Sequence, residues 1–492
     1  MFDRAARAAL IQRKAHVARP AESRDRAAGD DLADEWTVVQ DLWRAGFEGA
    51  PGLARRQETR LAALLAHARG ASPFYRRRYA HLPTGGAALG DLPVVTKREL
   101  MAAFDDWVTD PAVTRAGLEA FIADPSLIAT AFRESFVCTS AGTTGHPGLF
   151  VHDRGAIDVY RAITFTRIAP AWFGAADWWR LALRGFRWAA VFGTGGHYVG
   201  AGWVELERRR GAFRARAFRV FPVQLPLAEL VAGLNAFDPA VLTGYPSALA
   251  LLAAEQAAGR LSLRPVVLAC GGESLPADAG ARMAAAFDCP VHNMYAASEC
   301  LPMAFSCAQG WLHVNSDWVI LEPVDAQLRP MPAGEPSHTV LLTNLANRIQ
   351  PIIRYDLGDS VLARPSPCPC GSPLPAIRVA GRQDDVLHLA AADGRSVTIL
   401  PMAIGTVVEE TPGVQRSQLI QTGPATIRLR LDLEAGIDGE QAWRDATGRI
   451  TAYLAAQQLG NVVLVRASEP PEQSARFGKF RQVIARPPAT GK

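Results

Sequence analysis

The sequence predicts an α/β protein in which a large, multilayer N-terminal domain with mixed and parallel sheets precedes a small, mobile α+β C-terminal domain. Short strand-like runs alternate with Ala- and Leu-rich helical segments from about residue 136 to residue 380. One of these runs, residues 265–270, is entirely apolar, which is typical of a parallel strand covered on both faces. The alternation ends near residue 381, and the remaining stretch of about 110 residues is long enough for a second domain.

The domain boundary follows from this change of pattern. We assign residues 1–383 to the large domain and residues 384–492 to the small one. Residues 1–35 are charged and poor in large apolar side chains, so we expect a helical N-terminal arm there. Thr96 lies three residues before Glu99, a spacing that predicts a capping box at the start of a helix.

Apolar periodicity predicts most of the other elements. The run that contains Trp178, Trp179, Leu181 and Leu183 is expected to be buried. Helices are predicted at residues 58–69, 227–237, 247–258, 402–410 and 440–457. Strands are predicted at residues 241–244, 265–270, 291–294, 425–433 and 462–465.

Bulk composition excludes several classes of protein. The chain has 49% hydrophobic and 20% charged residues, a balance that indicates a soluble globular protein. A net charge of +4 over 492 residues is too weak to indicate nucleic-acid binding, and no apolar run is long enough to cross a membrane. The N-terminus lacks the apolar region of a secretory signal, so the seven cysteines suggest a reducing, cytoplasmic setting.

A polar loop lies between two short apolar runs at residues 137–148. It contains Thr139, Ser140, Gly142, Thr143, Thr144 and Gly145. Glycines let a backbone bend around an anion, and hydroxyl groups donate to phosphate oxygens. The Gly-Lys-Ser/Thr ending of a Walker A loop is missing. By itself the loop fits either a polar hairpin or a phosphate site.

Three further segments offer groups suited to a nucleotide. Tyr295 follows a predicted strand and could stack on a purine, while Ser298 and Glu299 could contact phosphate and Mg²⁺. Asp359 ends a glycine turn and could accept ribose hydroxyls. Lys479 lies in a polar segment and could stabilise developing negative charge. Each segment also fits an ordinary exposed turn.

Four thiol and imidazole side chains form a candidate metal site. Cys368 and Cys370 are separated by one residue, and Cys307 and His313 lie close together earlier in the chain. Three sulfurs and one imidazole suit a structural Zn²⁺ site, with Cys300 as an extra or replacement ligand. Free buried thiols are the alternative.

The order of these motifs resembles the adenylate-forming superfamily of acyl-CoA synthetases and adenylation domains, over about residues 70–485. The matching segments are the phosphate loop at 139–147, the aromatic motif at 295–299, the Tyr-Arg-Thr-Gly-Asp-like motif at 354–359, the hinge motif at 381–385 and the lysine motif at 478–479. The Cys-x-Cys-Gly before the hinge, the Cys and His after Glu299 and the run 72–75 resemble the phenylacetate–CoA ligase-like branch.

The resemblance implies a role for each matching residue. The phosphate-binding set is Thr139, Ser140, Gly142, Thr143, Thr144 and Gly145. The adenosine set is Gly271, Gly272, Glu273, Tyr295, Asp359 and Arg382. Ser298 would contact the α-phosphate, Glu299 would hold Mg²⁺, Asp384 would be the hinge, and Lys479 would bridge the substrate carboxylate and the α-phosphate.

The chain departs from the family pattern at several positions. His146 stands where the family usually has Lys, Ala141 where Ser is common and Ala296 where Gly is common. Residues 388–395 do not reproduce the loop that helps line the family's thiol-entry path. The resemblance therefore supports adenylation more strongly than transfer to coenzyme A.

The expected acyl pocket contains His197, Tyr198, Tyr245 and Pro246 beside the glycine pair at 271–272. These residues supply aromatic rings and no buried charge, which favours an aryl or other apolar acid, although the two tyrosines also fit a plain core.

The predicted function is ATP- and Mg²⁺-dependent activation of a carboxylic acid to an acyl-adenylate, followed by transfer to coenzyme A. The alternatives are delivery to an amine or a carrier-protein thiol, transfer of AMP to a cofactor as in deazaflavin-adenylating relatives, and a degenerate nucleotide-binding scaffold. We expect no nucleic-acid or membrane partner, and the sequence allows a homodimer.

Overall fold

The structure is a computed structural model. It describes residues 35–83, 88–140, 148–380, 386–434, 436–472 and 481–485. The predicted N-terminal arm, except for its last residue, lies outside these ranges.

The strands are numbered in chain order. They are β1 (Ala131–Phe132), β2 (Ser135–Ser140), β3 (Gly148–His152), β4 (Trp188–Phe192), β5 (Phe218–Pro222), β6 (Val241–Gly244), β7 (Val267–Gly271), β8 (Val291–Ala297), β9 (Cys300–Ser306), β10 (Leu312–Val314), β11 (Val319–Val324), β12 (Thr339–Asn344), β13 (Ile352–Asp356), β14 (Ser360–Ala363), β15 (Ala376–Ala380), β16 (Leu387–Ala390), β17 (Ser396–Ile399), β18 (Val414–Gly423), β19 (Thr426–Leu433), β20 (Val463–Arg466) and β21 (Val483–Ile484).

The α-helices are numbered in the same way. They are α1 (Glu35–Ala71), α2 (Pro73–Arg78), α3 (Lys97–Ala102), α4 (Phe104–Trp107), α5 (Arg115–Ile122), α6 (Arg154–Ile163), α7 (Ala169–Trp172), α8 (Ala175–Leu183), α9 (Val199–Arg208), α10 (Ala212–Ala217), α11 (Leu227–Phe237), α12 (Pro246–Ala257), α13 (Ala277–Phe287), α14 (Pro401–Glu409) and α15 (Gly439–Ala456). A π-helical segment, Thr164–Ile168, joins α6 to α7.

A nine-stranded sheet organises the first part of the chain, in the order β14-β15-β10-β9-β8-β7-β6-β4-β5. The five strands from β8 to β5 are parallel, and those from β9 to β14 are antiparallel. The apolar run predicted at 265–270 becomes β7 in the parallel half, where its residues are buried. The predicted α/β class with mixed and parallel sheets is confirmed.

Helices cover both faces of this sheet because its strands carry apolar side chains on both faces. On one face, α11, α12 and α13 pack against the alternate residues Leu242, Leu268 and Cys270. On the other face, Val241, Val267 and Ala269 belong to the main core with α1 and α6. The result is a three-layer arrangement around the carboxyl ends of the parallel strands.

Two three-stranded antiparallel sheets flank the main sheet. Strands β1-β2-β3 form one, and β11-β12-β13 form the other. Helix α1 is fixed to this region because Arg60 bonds the fully buried Asp317, which also accepts from Arg167 at 2.7 and 2.9 Å. The capping box at α3 is confirmed, since Thr96 and Glu99 exchange their hydrogen bonds.

The C-terminal segment has a core of its own. Strands β20-β19-β18-β21 form a four-stranded sheet, and α14 and α15 cover it with apolar residues such as Ile404 and Ile450. The segment also contacts the large sheet region: Gln457 Nε2 donates to the Gln224 carbonyl at 2.9 Å. The domain boundary at residue 384 stays a prediction.

The prediction that residues 178–183 are buried is wrong for three of its four large apolar side chains. In α8, Leu181 is buried, but Trp179 is 74% exposed and Leu183 is 85% exposed, while Trp178 is 40% exposed. The helix lies at the surface and turns only one stripe inward, so apolar composition alone overstated its burial.

Within the described ranges, none of the helices combines the length and the apolar character needed to cross a bilayer.

Candidate active site

A cavity of about 1200 Å³ opens at the carboxyl ends of the parallel strands. Consecutive parallel strands end at the same edge, so the loops that follow them meet there. The structure brings these predicted residues together in its lining: Thr139, Ser140, Tyr198, Tyr245, Gly271, Gly272, Glu273, Tyr295, Ser298, Glu299 and Asp359.

Tyr295 and Asp359 are in direct contact at this edge. Tyr295 lies near the end of β8, and its hydroxyl donates to Asp359 Oδ2 at 2.9 Å. Asp359 follows Gly358, whose φ of 72° lies in the left-handed region that favours glycine. The turn thus places a carboxylate beside an aromatic ring, two groups suited to ribose hydroxyls and to a purine.

The turn at Ser298 is fixed by buried groups. The Ser298 hydroxyl donates to the Thr139 carbonyl at 3.1 Å, which joins the turn to the end of β2. The Ser298 carbonyl accepts from His152 Nε2 at 2.8 Å and from Cys138 Sγ at 3.4 Å. Complete burial lowers the pKa of His152 to about 4, so its ring is neutral near pH 7. Its other nitrogen, Nδ1, then accepts from the Tyr160 hydroxyl at 3.1 Å.

Glu299 is equally constrained. Its side chain is buried, and Oε1 accepts from the Tyr355 hydroxyl at 2.8 Å. Its carbonyl accepts from Asn344 Nδ2 at 3.1 Å. Among the described residues, Oε2 accepts no hydrogen bond, which leaves one carboxylate oxygen for a hard cation such as Mg²⁺.

Thr139 and Ser140 end β2 at the cavity. The Thr139 amide donates to the His197 carbonyl at 2.8 Å, and the Ser140 hydroxyl accepts from the Gly148 amide at 3.2 Å. These contacts fix both ends of the loop predicted to bind phosphate. Lys97 lines the cavity as well, and its chain passes close to Gly148.

Several predicted residues lie outside the described ranges. They are Ala141, Gly142, Thr143, Thr144, Gly145 and His146 in the phosphate loop, Arg382 and Asp384 near the hinge, and Lys479 near the C-terminus. Their roles stay predictions.

The glycine pair shapes the floor of the site. Gly272 has a φ of 81°, and a Cβ there would lie 2.8 Å from the Tyr245 ring. Glu273 accepts from the amide and the hydroxyl of Ser247 at 3.0 and 2.9 Å. Its carboxylate therefore satisfies one of the unpaired amide groups at the start of α12.

His197 and Pro246 are buried but are not among the cavity's lining residues. The His197 ring packs on Phe121 at 5.1 Å, and its carbonyl rather than its ring supports the site. Pro246 occupies the first turn of α12, where its missing amide hydrogen costs nothing. Their assignment to the acyl pocket stays a prediction.

The four predicted zinc ligands do come together. Ligand atoms of Cys307, His313, Cys368 and Cys370 all lie within 4.8 Å of one another. The sulfurs of Cys307 and Cys368 are 3.8 Å apart, which equals the separation of about 3.8 Å expected for two thiolates on a tetrahedral Zn²⁺. His313 Nδ1 bonds the Leu374 carbonyl at 3.0 Å, and Nε2 faces the Cys370 sulfur at 3.2 Å.

Cys300 is not part of this cluster. It is fully buried near Tyr160, and burial raises the pKa of its thiol. It follows Glu299 directly, so the turn places it on the core side of β9 rather than at the β9–β10 hairpin.

Sequence reasoning missed the residues that hold the Ser298–Glu299 turn. His152, Tyr160, Asn344 and Tyr355 come from four elements and carry no local motif. Only Tyr355 lies in a recognisable motif, at 354–359, where the candidate ligand was the acidic Asp359.

Comparisons with known proteins agree with this geometry. Residues 43–336, more than half of the chain, match the family model described as AMP-binding enzyme. Among solved structures, a 2-hydroxyisobutyryl-CoA ligase in complex with 2-HIB-AMP and CoA has a TM-score of 0.52 and 24% identity, covering 88% of this chain and 90% of that chain. This likeness shows a shared fold.

Two further solved structures are more distant. An anthranilate CoA ligase in complex with anthranoyl-AMP has a TM-score of 0.36 and 19% identity, covering 70% of this chain and 64% of that chain. A benzoate CoA ligase from Burkholderia xenovorans LB400 has a TM-score of 0.35 and 16% identity, covering 70% and 66%. No curated protein matches the chain.

Proposed function

Because the chain belongs to the AMP-binding enzyme family, we propose that it activates a carboxylic acid with ATP and then transfers the acyl group to coenzyme A. The observation that carries the proposal is the Tyr295–Asp359 contact beside the Ser298–Glu299 turn, within one cavity. The predicted resemblance to the adenylate-forming superfamily is confirmed, and the phenylacetate–CoA ligase-like branch stays a prediction.

The nucleotide would lie across the ends of β7 and β8. Adenine would stack on Tyr295 next to Gly271 and Gly272. The Asp359 carboxylate would accept hydrogen bonds from the ribose hydroxyls. The α-phosphate would then lie near Ser298, and the β- and γ-phosphates near Thr139 and the loop that follows it. Backbone amides and hydroxyls in such a loop neutralise phosphate charge.

Glu299 fits the role of Mg²⁺ ligand. Tyr355 fixes one of its oxygens, and the other is available within the described part of the chain. When bound, Mg²⁺ would neutralise phosphate charge; the protein's part is to keep the Glu299 carboxylate oriented toward the phosphates.

The first reaction is an in-line displacement. A carboxylate oxygen of the acid bonds to the α-phosphorus, and the bond to pyrophosphate breaks. In the second reaction, the thiol sulfur of coenzyme A bonds to the acyl carbon, the bond to AMP breaks, and the thiol proton is released. Positioning and charge neutralisation account for most of the catalysis, since no acid–base pair is required for the first step.

Carboxylate-dependent exchange of pyrophosphate into ATP tests the activation step. We expect exchange with at least one acid in a panel of aryl, hydroxy-aryl and aliphatic acids, and loss of exchange in Lys479→Ala with nucleotide binding retained. Absence of exchange across the panel would contradict the proposal.

The acceptor is identified by a second experiment. Coenzyme A, hydroxylamine or candidate amines are added to the pre-formed adenylate, and the product is identified from its mass by mass spectrometry. A coenzyme A thioester is the expected product. An amide, a carrier-protein thioester or an adenylylated cofactor would instead identify one of the alternatives.

We also propose that Cys307, His313, Cys368 and Cys370 bind a structural Zn²⁺ ion, supported by their spacing and by the His313–Leu374 hydrogen bond. Purified protein should contain about one zinc per chain, and Cys368→Ser should lose it, whereas Cys289→Ser should keep it. Equal zinc content in the two variants would contradict this assignment.

A further inference from the structure

The cavity is larger than a nucleotide site requires. Its volume of about 1200 Å³ exceeds the roughly 300–1,000 Å³ of a site for one drug-sized ligand. The residues described above account for one end of it, at Tyr295 and Asp359. The remainder continues along one face of the central sheet, beneath α7 and α9.

The sheet wall of this extension is formed by side chains from successive parallel strands. Phe218 pairs with Trp188, Trp188 with Val241, and Thr243 with Ala269, so these residues share one face. From β8 to β5 there are four strand spacings, or about 19 Å at about 4.8 Å each. Thr243 and Ala269 are small, and they keep the middle of the extension open.

The opposite wall is helical and apolar. Ile168, Trp172, Trp203 and Val204 line it. Trp172 is held in place, because its ring stacks on His292 at 5.1 Å and its indole N–H donates to the Ser306 carbonyl at 2.9 Å. Trp172 therefore has a fixed position in this wall.

The far end of the extension opens between aromatic side chains. Phe165, Trp178 and Phe213 line the cavity there and are 57%, 40% and 61% exposed. Such exposure of large apolar groups at a cavity opening marks a binding surface.

Charged side chains at this end are paired with one another. Arg161 bonds Glu207 at 2.6 Å, and Arg210 bonds Glu35 at 3.0 Å. Arg214 also pairs with Glu207. Arg161 also pairs with Asp158 at 3.5 Å, so three guanidinium groups face three carboxylates. With these charges balanced, the opening does not favour an anionic group over an apolar chain.

We infer that the acid activated at this site carries an elongated apolar chain, which extends from the reacting carboxylate across β7, β6 and β4 to the aromatic opening at Phe165, Trp178 and Phe213. This inference rests on the proposed function and narrows its substrate from any aryl or apolar acid to a long-chain one. A benzoate-sized acid would leave most of the extension filled with water against apolar walls, whereas a long chain would displace that water.

The test compares acids of different length in the exchange assay: benzoate, hexanoate and dodecanoate. A methylene group buried in an apolar site is worth about fourfold in affinity, which corresponds to about 0.8 kcal/mol. We expect kcat/KM for dodecanoate to exceed that for hexanoate and for benzoate by at least about 100-fold. Equal values for the three acids would overturn the inference while leaving acid activation intact.

Two variants locate the chain within the cavity. Ala269→Phe fills the middle of the extension and should lower the dodecanoate-to-hexanoate ratio of kcat/KM by at least about tenfold. Trp178→Ala at the opening should lower it by about threefold or more, whereas Trp179→Ala, one residue away and outside the lining, should not change it. Equal effects of the two tryptophan variants would indicate a general surface effect and overturn the assignment of the opening.

Direct binding separates the two hypotheses. Calorimetric titration of dodecanoate into the wild-type protein should show binding that Ala269→Phe weakens at least about tenfold. If no acid supports exchange but dodecanoate binds in this way, the proposed reaction fails and the binding site stands. If exchange occurs with short acids and dodecanoate does not bind, the inference fails and the reaction stands.

Discussion

Replacement of His152 by leucine tests how the active-site turn is supported. The imidazole donates from Nε2 to the Ser298 carbonyl at 2.8 Å and accepts at Nδ1 from the Tyr160 hydroxyl at 3.1 Å. Leucine makes neither hydrogen bond. Within the described part of the chain, the Ser298 carbonyl would keep only the Cys138 thiol at 3.4 Å, and Tyr160 would lose its acceptor.

The expected cost comes from these two buried groups. An unsatisfied buried polar group costs about 1–3 kcal/mol, so we expect His152→Leu to lower the free energy of unfolding by about 2–4 kcal/mol at pH 7. Exchange activity should fall by about tenfold or more, since the carbonyl that positions the Ser298–Glu299 turn loses its main donor.

The pH dependence of this loss makes the test specific. Burial lowers the pKa of His152 to about 4 from its usual value near 6.5. Between those values the unfolded chain binds a proton that the folded protein does not, so wild-type stability falls as the pH decreases from 6.5 to 4. This contribution amounts to about 3 kcal/mol, and the leucine variant lacks it.

Denaturant unfolding at pH 7, 6, 5 and 4 therefore should show a stability gap that narrows by about 3 kcal/mol toward pH 4. His292, whose pKa is also lowered by burial to about 4, is present in both proteins and cancels. The exposed His81→Leu variant serves as the control and should follow the wild type. A gap that is the same at every pH would refute this account of His152.

Three other predictions concern separate features. Tyr355→Phe removes the hydroxyl that fixes the buried Glu299 carboxylate, a hydrogen bond to a charged group worth about 1.5–3 kcal/mol. It should lower the free energy of unfolding by about that amount and lower kcat/KM for exchange by about 10- to 100-fold. Asp317→Asn should lower the free energy of unfolding by about 3–5 kcal/mol, because two arginines lose their buried partner, whereas the exposed Asp278→Asn should leave the unfolding midpoint unchanged. Gly272→Val should raise KM for the acid at least about tenfold, since its positive φ and the contact with the Tyr245 ring both oppose a side chain there; an unchanged KM in a steady-state titration would contradict this.

Local patterns predicted the helices and strands well where one face is buried and turn residues mark both ends. Helix α11 has the predicted bounds, 227–237, and α14, α15, β19 and β20 each begin or end within one residue of the prediction. The exposed half of α8 was missed because burial depends on which stripe of a helix meets the core. No property of Trp179 itself carries that information.

The candidate site divides in the same way. Tyr295, Ser298, Glu299 and Asp359 lie in short motifs, and the structure brings all four into one cavity. Their supports could not be predicted, because His152 meets Ser298 across 146 positions of sequence, where the β1-β2-β3 sheet packs against the end of β8 in a separate sheet.

The turn that carries Cys368 and Cys370 leads into a strand that the sheet holds in place. Strand β15 begins six residues after Cys370 and is hydrogen-bonded to β10, where His313 pairs with Ala376. The last residue of β15 is Ala380, and the predicted hinge residue, Asp384, follows four positions later. The predicted rotation of the small domain would therefore start from a chain end that the sheet, and a bound zinc ion, hold in place. The sheet therefore fixes the chain up to four residues before the predicted hinge residue.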